Sequence, residues 1–450
     1  MMPEMKQPQA EYIFTARYLL TDGSQQNVIE NGGIAVKGDT IVATGEAESL
    51  RRHFAGTPVI HEEHGLLMPG LINCHTHAAM SCFRGLADDL PLMTWLEKHI
   101  FPIEAKLTPE MVYNSTLLSI AEMIKSGTTS FCDMYLFSRE VARAADGAGI
   151  RAWIGEVLYD FPSPCYGPVE NGIAYITDLL DEYRRNPLIS ITVDPHSVYT
   201  CSPDLLVRLG RLAADSGSLY VIHLAENDAE VATCLERYGA GPVDHLHNLG
   251  LLSNATLACH CVKVAGDELA LLAEKQVKVV HCVESNMKLA SGIAPVVELL
   301  DCGITVALGT DGSASNNDVD MFSEMNSVAK TQKVTCMEPT VMTAEQTLRA
   351  ATASGALALG AGDRLGILAA GRKADFIVID LDQPHLTPLY NIVSHLTYAV
   401  RGADVIHSFV GGRQLMKNRR LLTIDEPQLL ADMRAMGEKI LHLRNRELTA

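Results

Sequence analysis

Short apolar runs alternate with amphipathic segments through the middle of the chain. Between Leu66 and about Leu365, runs of strand length are separated by stretches with apolar residues at helical spacing, such as 111–127, which ends at Gly127. The strand candidates lie at 67–78, 129–137, 150–160, 188–197, 219–227, 254–262, 277–286 and 304–312. Eight β–α repeats over roughly 300 residues predict an α/β fold of the (β/α)8 TIM-barrel type.

Both ends of the chain have the pattern of short strands and turns. Strand-like runs precede the barrel and return after it, at 374–382 and 405–416. We expect the two flanks to pair as one small β-sandwich module, followed by a polar helix at the C-terminus. The predicted segments are the N-terminal part of the β-sandwich, the barrel, the C-terminal part of the β-sandwich and the C-terminal helix, at 1–65, 66–365, 366–424 and 425–450.

Composition and charge narrow the class of function. The chain has 36 basic and 54 acidic residues and a net charge of −18, so it lacks the basic character that nucleic-acid binding requires. No uncharged apolar run approaches the ~18 residues of a membrane span, and the first ten residues lack the apolar stretch of a signal peptide. The eleven cysteines lie mostly in apolar runs, a pattern typical of reduced, buried thiols. We therefore expect a cytoplasmic protein without nucleic-acid or membrane partners, and homo-oligomerisation is left open.

Three histidines and one aspartate stand at the C-terminal ends of predicted barrel strands. His75 and His77 are two apart on the first strand, so both side chains point to the same face. His223 ends the fifth strand and Asp311 ends the eighth. Barrel enzymes carry their chemistry at this end of the strands, and these donor types suit Zn²⁺ or a similar divalent ion. Each residue could singly be an ordinary polar residue at a strand end, but their joint occurrence predicts a metal site.

Two further residues lie beside these donors. Glu226 follows His223 by three positions, where a carboxylate can reach an activated water without binding the metal, which suits a general acid or base. The alternative for Glu226 is an ordinary acid of a surface loop. His260 lies between Cys259 and Cys261. If His260 faces the barrel mouth, strand alternation predicts that both thiols face the surrounding helices.

Taken together, these motifs resemble the metal-dependent amidohydrolase superfamily. The segments that carry the likeness are PGLINCHTHAAM, HLAEN, LACHCV and LGTDGSASNNDVDMF. Within the superfamily, the chain is similar to the 5′-methylthioadenosine/S-adenosylhomocysteine deaminases in RGLADDLPLMTWLEKHIFPIEAKLT, DPHSVYTCS and SNMKLASGIAPV. Chlorohydrolases and guanine deaminases share parts of these segments, so both remain alternatives on the same fold.

The resemblance implies a role for each site residue. The ligands that it implies for one divalent metal ion, with Zn²⁺ favoured, are His75, His77, His223 and Asp311. A second metal is not expected, because the fourth strand offers no lysine for carboxylation. Glu226 would protonate the substrate ring, and His260 would orient the attacking water. Glu104 would hold ribose hydroxyls, and His196 would contact the substrate.

Two positions bear on how the substrate is held. Trp95 is one of two tryptophans and lies in the long loop after the first strand, where it would either cover the purine or anchor a lid helix in the core. Some members of the resembled family carry an arginine late on the third strand, where this chain has Glu156. The binding of the 5′ substituent is therefore left open.

The resulting hypothesis is an enzyme that deaminates adenine nucleosides and thioethers by hydrolysis. 5′-Methylthioadenosine, S-adenosylhomocysteine or adenosine would be converted to the inosine analogue and ammonia. The metal would lower the pKa of its water to about 7, Asp311 would accept a proton, and Glu226 would deliver one to N1. The alternatives are a guanine deaminase or a triazine-type chlorohydrolase on the same fold and, in another class, a non-catalytic scaffold. We expect uncharged 5′-modified adenosines to react better than adenine or AMP.

Overall fold

A computed structural model of the chain describes residues 9–90 and 92–447. The expectation of no signal peptide concerns mainly residues 1–8, which lie outside the described residues. Residues 448–450, at the end of the predicted C-terminal helix, lie outside them too. The strands are β1 (Tyr12–Leu20), β2 (Val28–Lys37), β3 (Thr40–Glu46), β4 (Val59–Pro69), β5 (Leu71–Thr76), β6 (Thr128–Tyr135), β7 (Arg151–Leu158), β8 (Ile189–Ile191), β9 (Asp194–Pro195), β10 (Tyr220–Leu224), β11 (Thr256–His260), β12 (Lys278–His281), β13 (Val306–Leu308), β14 (Phe376–Asp380), β15 (Val405–Val410), β16 (Arg413–Lys417) and β17 (Arg420–Leu421).

Helices connect the central strands and cover their outer side. They are α1 (Ala47–His53), α2 (Leu92–Trp95), α3 (Phe101–Glu104), α4 (Pro109–Lys125), α5 (Ser138–Ala148), α6 (Val169–Glu182), α7 (Pro203–Ser216), α8 (Asp228–Tyr238), α9 (Pro242–Asn248), α10 (Asp267–Glu274), α11 (Val283–Lys288), α12 (Val296–Asp301), α13 (Met321–Cys336), α14 (Ala344–Ala350), α15 (Ala353–Ala358), α16 (Ile392–Tyr398) and α17 (Glu426–Glu447). Local sequence sets their ends: the Ser202 side chain accepts a hydrogen bond from the Leu205 N–H at the start of α7, and Gly217 ends that helix with a φ of 67°. In the described part of the chain, we find no helix with the length and apolar character needed to span a bilayer.

The strands from β5 to β13 form the predicted barrel. β5, β6, β7 and β8 pair in parallel, as do β10, β11, β12 and β13. Parallel bridges from Val193 to Tyr220 and from Ser197 to His223 join the two groups on one side. On the other side, the Asp311 N–H donates to the His75 carbonyl oxygen at 3.0 Å. Each of the eight predicted runs contains a barrel strand, so the (β/α)8 prediction is confirmed.

Most barrel strands are buried along their whole length, which explains why their sequences are continuous apolar runs. Every residue of β5, β6, β7, β10 and β11 is buried. Helices cover the outside of a parallel barrel and side chains fill its inside, so neither face of a strand meets solvent. The polar residues that these strands do carry therefore stand out as candidates for function.

The two ends of the chain combine in one eight-stranded sheet, with the strand order β17-β16-β15-β14-β4-β1-β2-β3. β4 and β14 pair antiparallel at its centre, which joins the N-terminal and C-terminal parts as predicted. The rings of Phe14, Phe376 and Phe409 pack together on one face, with centroids 4.3 to 5.6 Å apart. β4 continues into β5 through Gly70, where a Cβ atom would lie 2.1 Å from the Thr129 hydroxyl. This glycine lets the sheet lead directly into the first barrel strand.

Candidate active site

Four donor atoms converge at the mouth of the barrel, and we call their residues the donor cluster: His75, His77, His223 and Asp311. Asp311 Oδ1 lies 3.5 Å from His75 Nε2 and 3.1 Å from His77 Nε2, and His223 Nε2 lies 3.3 Å from His77 Nε2. Bonds of about 2.0–2.1 Å to a tetrahedral Zn²⁺ would place neighbouring donor atoms about 3.3 Å apart. The spacing of the donor cluster therefore fits a divalent cation.

Backbone oxygens fix the ring orientation of two of these histidines. The Nδ1 atom of His223 donates to the His196 carbonyl oxygen at 2.8 Å, and that of His77 donates to the Met134 carbonyl oxygen. A carbonyl can only accept, so the hydrogen of each neutral ring lies on Nδ1 and the lone pair on Nε2 faces the donor cluster. This is the form of imidazole that binds a metal.

His75 is fully buried, and its Nε2 atom has no hydrogen-bond partner among the described residues. A buried polar atom without a partner is costly, and a cation held by the donor cluster would remove that cost. The pKa of Asp311 is affected in two directions: burial raises it, but the neighbouring imidazole rings of His75 and His77 outweigh burial and hold it well below its usual range. Asp311 is thus ionised and available as an anionic ligand.

The prediction that the thiols of Cys259 and Cys261 both face the surrounding helices is wrong for Cys259, whose thiol faces the barrel interior. Its Sγ atom lies 3.2 Å from His75 Nδ1, and Cys259 pairs with His223 across neighbouring strands, so both side chains share a face. His260 nevertheless also reaches the mouth. Its φ of +74° lies in the left-handed region, so the alternation of an extended strand ends there.

Glu226 is buried at the mouth of the barrel, only 8% exposed, and does not lie on a surface loop. Ala225 before it has a φ of +51°. The two carboxylate oxygens of Glu230 accept hydrogen bonds from the Ala225 and Glu226 N–H groups at 2.9 and 2.8 Å, which fixes this turn. Burial raises the pKa of Glu226, although the nearby His260 and His77 oppose the shift. A buried carboxyl group whose pKa is raised is suited to exchange a proton with a substrate.

Side chains from α11 and from the segment after β13 contact Asp311 and His260. Asp311 Oδ2 accepts hydrogen bonds from Ser285 Oγ at 2.6 Å and from Ser315 Oγ at 3.1 Å. His260 Nδ1 lies 3.0 Å from Asn286 Nδ2. These hydroxyl and amide groups orient Asp311 and His260.

The donor cluster opens into a cavity of about 380 Å³ that also contains the other predicted site residues. Glu104 Oε1 accepts a 2.5 Å hydrogen bond from Tyr135 Oη. His196 lines the cavity with its Nδ1 atom 2.9 Å from Thr200 Oγ1, and burial lowers its pKa to about 3, so the ring is neutral. Trp95 is 5% exposed and lines the cavity too, so it is both packed in the core and placed beside any bound ligand.

The outer part of the cavity is lined by apolar and aromatic side chains, which we call the apolar wall: Met80, Trp95, Leu96, Phe101, Leu136, Val157, Tyr159, Phe161, Pro162, Pro164 and Leu289. The rings of Tyr159 and Phe161 stack with their centroids 3.8 Å apart. Among the described residues that line the cavity there is no lysine or arginine. An anionic group on a ligand would therefore find no cationic side chain here.

Glu156 does not take part in this lining. Its neighbour Val157 faces the cavity, whereas Glu156 Oε2 accepts hydrogen bonds from the N–H and the hydroxyl of Ser138 at 2.8 and 2.9 Å. Burial raises the pKa of Glu156 to about 7. The carboxyl thus caps the first turn of α5 and does not face the cavity, so the structure gives Glu156 no direct contact with a group bound there.

Sequence reasoning missed several residues around the cavity. Tyr135 is the last residue of β6, and Tyr159 directly follows β7, so both stand at strand ends as the metal-type donors do. The same strand-end rule could have identified them. Glu230, Ser285 and Asn286 carry no comparable signal, because they lie in the first turns of α8 and α11 and not at strand ends.

Comparisons with known proteins agree with this arrangement. The sequence profile of the amidohydrolase family matches residues 66–415. A protein of Syntrophobacter fumaroxidans named 5-methylthioadenosine/S-adenosylhomocysteine deaminase is 51% identical over 97% of this chain and 100% of its own length. A 5'-deoxyadenosine deaminase of Methanosarcina barkeri is 41% identical over 96% of this chain and 98% of its own. A crystal structure of an adenosine deaminase from Xanthomonas campestris with bound zinc is 37% identical with a TM-score of 0.94, covering 96% of this chain and 99% of that one.

Proposed function

The chain belongs to the amidohydrolase family, and we propose that it hydrolyses the C6 amino group of adenine nucleosides whose 5′ substituent is uncharged. The observation that carries the proposal is the cavity itself. It joins the donor cluster, the protonatable Glu226 and the carboxylate of Glu104 to an apolar wall without lysine or arginine. The relatives named as deaminases of 5-methylthioadenosine/S-adenosylhomocysteine and of 5'-deoxyadenosine support hydrolytic deamination of adenine nucleosides.

The family uses a divalent metal, and we assign a single Zn²⁺ to the donor cluster. Three imidazole nitrogens and one carboxylate oxygen at these distances suit zinc. The Xanthomonas campestris structure with bound zinc supports this identity. When bound, the metal supplies the Lewis acidity that makes water a nucleophile at neutral pH.

Three residues of the chain would handle the protons of the reaction. Asp311 accepts a proton from the attacking water as the water oxygen bonds to C6. Glu226 delivers a proton to N1, which makes C6 more electrophilic. Asp311 then passes its proton to the amino group, which leaves as ammonia, while the C6 hydroxyl proton returns to Glu226 as the carbonyl forms. His260 holds the water by a hydrogen bond while this happens. Acid–base assistance of this kind typically contributes about 10²–10⁴-fold.

Glu104 would recognise the ribose. Its carboxylate oxygens can accept hydrogen bonds from two neighbouring hydroxyls, and Tyr135 holds one of these oxygens in place. A free base offers no such hydroxyls and would leave only the Tyr135 hydroxyl as a partner of this carboxylate. Recognition of the ribose by Glu104 therefore favours nucleosides over adenine or guanine.

The apolar wall would receive the 5′ substituent. A methylthio, methyl or hydroxyl group can lie against it, whereas burying a phosphate without a paired cation is costly. The amino-acid carboxylate of S-adenosylhomocysteine meets the same obstacle. We therefore rank 5′-methylthioadenosine, 5′-deoxyadenosine and adenosine above S-adenosylhomocysteine, and all four above AMP.

Ammonia release, followed side by side for these compounds with the zinc-loaded protein, tests the proposal. The panel also includes adenine, guanine and a chlorotriazine, for which chloride release is measured. We expect the highest kcat/KM for a nucleoside with an uncharged 5′ group. A higher value for adenine, guanine or the chlorotriazine than for every nucleoside would contradict the proposal. Absence of stoichiometric metal in the purified protein would instead favour a non-catalytic scaffold.

A further inference from the structure

The first two residues of the segment SNMKLASG after β12 have no role in the mechanism above, yet Ser285 contacts Asp311 of the donor cluster and Asn286 contacts His260. Ser285 and Asn286 lie on α11 and are fully buried. We propose that Asn286 is a positioning residue that keeps the hydrogen of His260 on Nε2, so that this ring donates a hydrogen bond to the attacking water and does not bind the metal. The role of the water rests on the proposed function, but the position of the hydrogen does not.

His260 is close enough to the donor cluster to act as a ligand. Donor atoms of His75, His260 and Asp311 all lie within 4.8 Å of one another, as do those of His75, His77 and His223. Distance alone therefore does not separate a metal-binding His260 from one that holds water. The position of the ring hydrogen does, because only a nitrogen without hydrogen can bind a metal.

The group that faces Nδ1 differs between His260 and the other histidines. For His77 and His223 it is a carbonyl oxygen, which accepts a hydrogen and leaves Nε2 bare. For His260 it is the amide nitrogen of Asn286 at 3.0 Å, which can only donate. Nδ1 of a neutral His260 must then be bare, and Nε2 carries the hydrogen towards the cavity.

The structure places the amide nitrogen of Asn286, and not its oxygen, against His260 Nδ1. In this orientation the NH2 group has His260 Nδ1 as its acceptor, whereas Asn286 Oδ1 has no hydrogen-bond partner among the described residues.

The start of α11 is itself anchored to the barrel. The Val283 N–H donates to the buried Glu324 Oε2 at 3.1 Å, and Ser285 Oγ donates to Asp311 Oδ2 at 2.6 Å. Ser285 and Asn286, which are adjacent on this helix, thus contact Asp311 and His260, the two groups that would hold the attacking water. A fixed helix start is what a positioning role requires.

Nuclear magnetic resonance of the zinc-loaded protein labelled with ¹⁵N-histidine tests the hydrogen position directly. The His260 signals are identified by their loss in His260→Gln. We expect two-bond ¹H–¹⁵N correlations typical of a ring with hydrogen on Nε2 and a bare Nδ1. A hydrogen on Nδ1, or an Nε2 shifted by zinc, would overturn the proposal. Because no substrate is present, this result is independent of whether the protein deaminates nucleosides.

Variants of Asn286 test the consequence for turnover. In Asn286→Asp a carboxylate can only accept, so we expect the hydrogen of His260 to move to Nδ1. We also expect kcat to fall by roughly 10²-fold, while KM changes less than about threefold. In Asn286→Leu the donor is lost at similar volume, and kcat should fall while zinc is retained.

The matched control is Asn326→Asp, which makes the same charge change on α13. The Asn326 amide donates to the carbonyl oxygens of Thr397 and Tyr398 at 3.2 Å, outside the cavity. Its spectrum and its kcat should equal those of the unmodified protein. Unchanged kcat and an unchanged His260 signature in Asn286→Asp would contradict the proposal. Should that variant fail to fold, the spectrum of the unmodified protein still decides.

Discussion

The donor cluster and the apolar wall enclose the same cavity but are held in place by different forces. Every residue of the donor cluster has a second polar partner on the side away from the cavity: a carbonyl oxygen, a thiol or a serine hydroxyl. The apolar wall is held by packing, as in the stacked rings of Tyr159 and Phe161. Hydrogen bonds fix the direction of a side chain, whereas packing fixes mainly its volume. Substitutions in the donor cluster should therefore abolish the reaction, and changes in the apolar wall should alter the choice of substrate.

The largest effect is expected from removing one imidazole of the donor cluster. His75→Ala or His223→Ala leaves too few ligands, so we expect loss of both bound metal and activity. Metal per chain is measured by elemental analysis of the purified variants, with the exposed His247→Ala on α9 as control. Full metal occupancy in both cluster variants would refute the assignment of the ligands.

A smaller loss is expected where the proton shuttle is removed but the ligands remain. Glu226→Gln should keep its metal and its fold but lose about 10³-fold in kcat, because an amide cannot deliver the proton. Glu236→Gln, on the exposed side of α8, is the matched control and should behave like the unmodified protein. If kcat of Glu226→Gln stayed near that of the unmodified protein, Glu226 would have no role in proton transfer.

Residues that hold the substrate should affect selection more than chemistry. Glu104→Gln removes a charged acceptor, so kcat/KM for nucleosides should fall by roughly one to two decades, in line with one charged hydrogen bond. Metal content should not change. Tyr135→Phe, which removes only the hydroxyl that holds Glu104, should show a smaller fall in the same direction. An equal loss of kcat/KM for a free base and for a nucleoside would place the effect of Glu104 outside ribose recognition.

The smallest expected effect is on metal affinity, and it should differ between the two cysteines beside His260. Cys259→Ala removes the thiol behind His75 and should weaken metal binding by about tenfold, as loss of a group that orients a ligand does. Cys261→Ala should leave metal affinity unchanged. Competition with a chelator gives both affinities, and equal values for the two variants would show that the Cys259 thiol does not support His75.

The sequence allowed the barrel and its mouth to be predicted because both depend on a simple periodicity. Eight apolar runs define the strands, and polar residues at their C-terminal ends had to meet, which brought His75, His223 and Asp311 together without any knowledge of loops. The same periodicity failed at Cys259, because the left-handed backbone of His260 lets consecutive residues both face inward. Ser285 and Asn286 could not have been predicted, since their contacts depend on how the start of α11 packs against Asp311 and His260.

Left-handed backbone at Ala225, His260 and Asp311, with φ values of 51°, 74° and 62°, has a consequence for engineering. Non-glycine residues in this conformation cost about 1–3 kcal/mol each and persist only where the surrounding structure enforces them. A designer could transplant the donor cluster, Glu226 and His260 onto an idealised barrel of straight strands. The order of these six side chains would be reproduced, but those that depend on the left-handed backbone would point in the wrong direction. The supporting groups, such as the Glu230 carboxylate that fixes the turn at Ala225, would have to be transplanted too. The portable unit is thus the bent strand end together with its support, and not the list of ligands.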